Sequence, residues 1–213
     1  FHKPEPGDRR EGFFESGDFA ALLLELPADV AGLVRFLRFT GWRRGEGTGL
    51  LWSQVDFDDP DFQVEDREPA PGLNACVRIG GSQTKARDAR EFPFAEAPEL
   101  RDLLLARWRA RNGLRVFHRN GRPIGDFRKV WMTACTKAGL EGRLIHDLRR
   151  SAARDFRRAG VSESQIMLLC GWKTATMFRR YDINSPADLR HAVAQRFNGT
   201  TTANIPVDAA MVR

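Results

Sequence analysis

The sequence predicts an α+β fold that is mostly helical, with a small three-stranded antiparallel sheet between two runs of helices. Three observations predict it. Apolar residues recur at helical spacing near both ends of the chain. Three short runs that read as strands fall between 52 and 94. The order is helices, then strands, then helices, with no alternation of the kind a parallel sheet requires.

Taken in order, residues 1–16 are rich in Pro, Gly and charge and read as a linker. A first helix begins at Asp18. Pro27 opens a second that runs to about Phe39, with Val30, Leu33, Val34 and Leu37 on one face. Thr40-Gly41 ends it, and a short third helix runs from Arg43 to about Leu51. Trp52–Phe57, Ala75–Ile79 and Arg90–Phe94 read as strands. The acidic, Pro-rich stretch 58–74 reads as a solvated loop, and GGSQTKARDA as the hairpin turn between the last two strands. Six further helices are expected at 97–111, 124–138, 146–159, 162–170, 174–182 and 185–196, with a short extended piece at Val116-Phe117-His118. The domain is expected to span 17–198, with 199–213 as a flexible tail.

Charge divides the chain. Residues 1–100 hold 12 Lys and Arg against 19 Asp and Glu, whereas residues 101–213 hold 22 against 9. A basic half of this size fits either a polyanionic partner or a solubilising surface. Only five of the 34 basic residues are lysines, and arginine forks match phosphate oxygens. No apolar run reaches the ~18 residues of a membrane span. Cys76, Cys135 and Cys170 are scattered, with no metal-ligand spacing and no disulfide framework, which suits a reducing cytoplasm. The chain opens without an initiator Met, so a piece of a longer protein is expected.

The segment richest in chemistry is Ile145-His146-Asp147-Leu148-Arg149-Arg150. His146 and Arg149 are three apart at a helix start and share a face, where both can meet one phosphate. Downstream lie Gly171-Trp172 and Tyr181, the single tyrosine of the chain, beside Arg179 and Arg180. Upstream lies Thr40-Gly41-Trp42-Arg43-Arg44-Gly45-Glu46, and Thr84-Lys85 falls at the hairpin turn.

This ordered set resembles the catalytic domain of the tyrosine recombinases, the phage integrase family. The resemblance covers roughly residues 12–198. It departs from the family pattern in the longer loop at 58–74 and at Gln54, where an acidic residue is common. It implies a recombinase that cleaves and rejoins double-stranded DNA through a 3′-phosphotyrosyl intermediate, without metal, ATP or other cofactor. It implies Tyr181 as nucleophile and Arg43 and Arg149 as a phosphate clamp, with Arg44 the rival of Arg43. It implies His146 as base or proton relay, Lys85 as the acid for the leaving oxygen, and Trp172 at the position held by His or Trp. Glu46 is expected to orient an arginine or to be a helix surface charge. Arg44, Arg87, Arg150, Arg179 and Arg180 are expected to include DNA-backbone contacts. Family members act as homotetramers on DNA, some with accessory DNA-bending proteins. They usually carry an N-terminal DNA-binding domain, to which residues 1–16 would be the link. The helix at 185–196 would dock on a neighbouring subunit or on its own domain. A bacterial or phage origin and a place on the nucleoid follow from the same resemblance. A DNA-binding protein without catalysis and a type IB topoisomerase-like enzyme are the alternatives.

Overall fold

The computed structural model describes residues 12–60, 67–81 and 89–179, together with Arg190, Val193 and Ala194. Helix α1 (Ser16–Leu24) leads into α2 (Ala28–Thr40) and the short α3 (Arg44–Gly49). A three-stranded antiparallel sheet follows, in the order β1 (Val55–Asp56), β2 (Cys76–Ile79), β3 (Arg90–Pro93). Then come α4 (Pro98–Arg109), a two-stranded ribbon of β4 (His118–Arg119) and β5 (Arg122–Pro123), and four helices: α5 (Arg128–Lys137), α6 (Ile145–Arg158), α7 (Glu163–Cys170) and α8 (Ala175–Arg179).

Helix α2 lies at the centre because most of its residues are buried, with Arg35 left exposed. Val30, Leu33, Val34 and Leu37 are buried as expected, and so are Gly32 and Phe36. It packs against α6 and α4. Its end comes at Gly41, which adopts the left-handed conformation (φ 65°) and donates its N–H to the Leu37 carbonyl. The chain can therefore turn at once into Trp42, whose ring is buried edge-on against Phe36 at 5.6 Å.

Three expectations need correction. Trp52–Gln54 is a 3-10 turn and not part of a strand; the Trp52 N–H is taken by the Leu114 carbonyl and Gln54 Oε1 accepts from Leu51 N–H. Of the extended piece expected at 116–118 only His118 is strand, and it starts a ribbon whose second strand, β5, was not expected. The linker ends sooner than residue 16. Phe14 is fully buried, donates its N–H to Ser151 Oγ at 2.8 Å and accepts from Arg38 through its carbonyl. The described parts of the 58–74 stretch are loop and mostly exposed, held by local contacts: Arg67 pairs with Asp59, Glu68 pairs with Arg109 of α4, and Gly72 N–H returns to the Phe57 carbonyl. The helix expected at 185–196 and the tail after 198 lie outside the described residues, apart from Arg190, Val193 and Ala194.

Candidate active site

Three chain reversals meet at one place: the end of α2, the start of α6 and the end of α7. Helix α6 begins where Asp147, at its third position, accepts from the Leu144 backbone N–H at 2.8 Å. That start places His146 and Arg149 on the face directed at the α2–α3 junction. Helix α7 stops at Gly171, which is left-handed at φ 70°. The carbonyls of Gly41, Cys170 and Gly171 are thereby turned inward.

Arg149 is 3% exposed and rests on all three carbonyls. Its Nη1 donates to Gly41 O and to Cys170 O, each at 2.5 Å, and its Nη2 to Gly171 O at 3.3 Å. The negative ends of two helices thus hold a buried cation. Burial, together with the positive charges of Arg43 and Arg90, lowers the Arg149 pKa to about 10, so it remains protonated at neutral pH. Arg43 approaches from the opposite side. Its Nη2 donates to the same Gly171 carbonyl at 3.4 Å, and Glu46 holds it from behind at 3.1 Å while also accepting from Arg43 N–H at 2.7 Å.

These groups open onto a cleft of about 570 Å³ walled by Arg43, Arg44, Asp126, Arg128, His146 and Arg149. His146 presents much of its area to this cleft. Partial desolvation against the cleft wall, with the charges of Arg149, Arg150 and Arg43, pushes its pKa below the ordinary value despite Asp147.

Arg43, Glu46, His146, Arg149 and Trp172 are therefore brought together. Glu46 orients arginines and is no surface charge. Arg44, the rival of Arg43, lies at the cleft rim, half exposed, 3.5 Å from Asp126. Trp172 is 5% exposed, with the Arg149 guanidinium 4.6 Å above its ring and Phe178 edge-on at 5.7 Å. Trp172 therefore packs against the clamp. Arg150 is a correction: it is 4% exposed, pairs with Asp147 and lies over the Phe13 ring, so it offers no surface to a DNA backbone. Lys85, Arg87, Arg180 and Tyr181 lie outside the described residues, as does the side chain of Arg179, the last residue of α8.

Two residues of the site were not singled out from the sequence. Arg128 sits exposed at the cleft rim, in a helix start that carries no motif. Arg90, at the start of β3, is buried against Glu46. Its signal was alternation: it shares a strand face with the buried Phe92.

The model of the phage integrase family matches residues 22–188, more than half of the chain. This chain belongs to the phage integrase family. An integrase of Salmonella phage P22 is 26% identical over 212 residues, covering 95% of this chain and 52% of the phage protein, so the chain spans about half the length of that relative. Among solved structures, XerA recombinase matches with a TM-score of 0.66 at 20% identity, covering 92% of this chain and 67% of that one. The catalytic domain of bacteriophage HP1 integrase matches with a TM-score of 0.58 at 24% identity, covering 92% and 99%. These likenesses bear on the fold, and it is that of a tyrosine recombinase catalytic domain. No described helix of this family member is long and apolar enough to cross a membrane.

Proposed function

We propose that this integrase-family chain carries out site-specific strand exchange on double-stranded DNA through a covalent phosphotyrosyl intermediate. One observation carries the reading. Arg43 and Arg149, distant in sequence, converge on a single carbonyl oxygen at the wall of an open cleft that also holds His146. Two guanidiniums fixed so close together are held against their own repulsion, an arrangement an incoming anion relieves.

In the proposed reaction the Tyr181 hydroxyl attacks the scissile phosphorus and passes its proton to His146. A depressed pKa keeps the imidazole neutral at pH 7 and able to accept it. Charge gathering on the non-bridging oxygens is met by Arg43 and Arg149, each contributing about 3 kcal/mol to the transition state. The 5′-oxygen leaves with a proton from Lys85. A second DNA end then attacks the 3′-phosphotyrosyl bond and returns the proton, so the bond energy is conserved without ATP and no metal takes part. The active assembly is a homotetramer on two duplexes, aided at some sites by DNA-bending proteins. Arg44, Arg87, Arg179 and Arg180 supply backbone contacts, and Arg128 joins them.

The test is a nicked suicide duplex carrying the attachment site, incubated in EDTA. A covalent protein–DNA adduct is expected from the intact chain, and none from Tyr181→Phe. An adduct that survives this substitution removes the nucleophile. Absence of any adduct on the proper site favours a binding protein without catalysis.

A further inference from the structure

Arg90 enters the cluster from the sheet, and nothing in the proposed reaction uses it. Its side chain is 8% exposed and pairs with Glu46, whose own side chain is 5% exposed. Its Nη1 donates to Cys170 O at 3.1 Å, a carbonyl also held by Arg149, and its guanidinium lies 4.8 Å from the centre of the Trp42 ring. Glu46 is thus bracketed by two guanidiniums, one facing the cleft and one buried. Burial lowers the Arg90 pKa, and Glu46 opposes that shift.

The charge count explains why a second cation matters. Arg43, Arg149 and Glu46 alone would leave two guanidiniums against one carboxylate, with the carboxylate directly on Arg43. In a poorly solvated site, such a pair presents a dipole to an arriving phosphate, and a dipole field falls off faster than that of a charge. With Arg90 the described cluster holds three guanidiniums against one carboxylate. Resting on the function proposed above, we infer that Arg90 is a positioning residue for cleavage: it takes up the charge of Glu46, so that Glu46 can orient Arg43 without cancelling it.

A charge-compensation test separates this role from that of a purely structural brace. Arg90→Met leaves Glu46 uncompensated. Combining Arg90→Met with Glu46→Gln restores the original net charge without restoring any contact. Single-turnover adduct formation on the nicked duplex should slow about tenfold or more in Arg90→Met, less than the loss of a direct oxyanion donor. It should recover at least about threefold in the double variant, as expected for charges that couple through one site. Arg90→Lys, which keeps the charge and loses the fork, should stay within about threefold of the parent. A double variant as slow as Arg90→Met, or a Lys variant as slow as the Met variant, overturns the inference.

Binding of inorganic phosphate to the intact chain, followed by calorimetry, separates this inference from the functional reading. Affinity should fall in Arg90→Met and return in the double variant whether or not DNA is cleaved. If phosphate follows that pattern and no variant or parent forms an adduct, the reaction is wrong and the charge role stands. If the parent cleaves and phosphate affinity ignores Arg90, the charge role is wrong and the reaction stands.

Discussion

Where α7 ends, three guanidiniums and one carboxylate meet, and Arg43, Arg90 and Arg149 each donate to a backbone carbonyl of Cys170 or Gly171. Along the edge strands and the acidic stretch, Arg78 meets both Asp56 and Glu91, Arg67 meets Asp59, and Arg109 meets Glu68. The first region is largely buried at the wall of a cleft and has cations in excess. The second is largely solvated and self-neutralised. The basic character of the chain is therefore available to a ligand in the first region, where cations are left over, and is neutralised by local carboxylates in the second. Net charge in the first half is negative because 19 Asp and Glu outnumber 12 Lys and Arg, so the arginines of this flank find carboxylates nearby. The arginines at the ends of α2 and α7 are held by helix carbonyls, which orient a guanidinium without removing its charge.

The largest effect is expected where the comparison is sharpest. Arg149→Ala takes the donor from the Gly41 carbonyl, leaves the Cys170 carbonyl to Arg90 alone and removes half of the clamp. Single-turnover adduct formation should fall by about 10³-fold, the scale of a lost oxyanion donor. A loss under tenfold would mean that Arg149 is held by the fold and not used by the reaction. Gly171→Ala comes next. The residue is left-handed, and an added Cβ would lie 1.5 Å from Arg90 Nη1. Backbone strain and displacement of Arg90 together should lower stability by about 1–3 kcal/mol, read from the urea midpoint. An unchanged midpoint would show that Arg90 does not pack over this turn.

A smaller effect follows from His146. Its pKa is depressed below 6.5 in the folded chain, so the unfolded chain binds its proton first as pH falls. Stability is unaffected by this group well above pH 6.5. It then declines as pH drops through 6.5 toward the lower folded value. His146→Gln should flatten that part of the stability profile, measured by chemical unfolding between pH 5 and 8. In the proposed reaction the same substitution should also remove the acid limb of the cleavage-rate profile, because protonated imidazole cannot accept the tyrosine proton.

The comparison also marks what could be read before the fold was known. Helix order was legible because Val30, Leu33, Val34 and Leu37 set a period and Gly41 and Gly171 end helices by conformations that glycine adopts cheaply. The pairing of His146 with Arg149 was legible because three residues make nearly one helical turn. The ribbon at β4 and β5 was not, since two-residue strands carry no period. Phe14 was hidden because an apolar pair in a charged stretch shows its burial only once α6 and Ser151 are in place. Arg150 was misread for the same reason, its partner Phe13 lying far away in sequence. Arg90 was within reach, since its register opposite the buried Ile79 sets it on the inner face of the sheet.

The smallest effect is expected on the self-neutralised side, and it separates the two regions by salt. Arg78 carries its charge in solvent between Asp56 and Glu91, and its hydrogen bond to Asp56 is the main cause of the depressed Asp56 pKa. Arg78→Ala should leave adduct formation unchanged and lower the urea midpoint by less than Gly171→Ala does. Because the folded Asp56 pKa lies below its unfolded value, the contribution of this pair is present above the unfolded pKa and lost as pH falls through the folded one. Exposed charges are screened over about 3 Å at 1 M salt, so the difference between Arg78→Ala and the parent should vanish there. The loss caused by Gly171→Ala should persist, because strain and steric overlap do not respond to ions. If instead the Arg78 effect survived high salt, the acidic flank would be built like the cleft, and charge matching would not be what distinguishes the two regions.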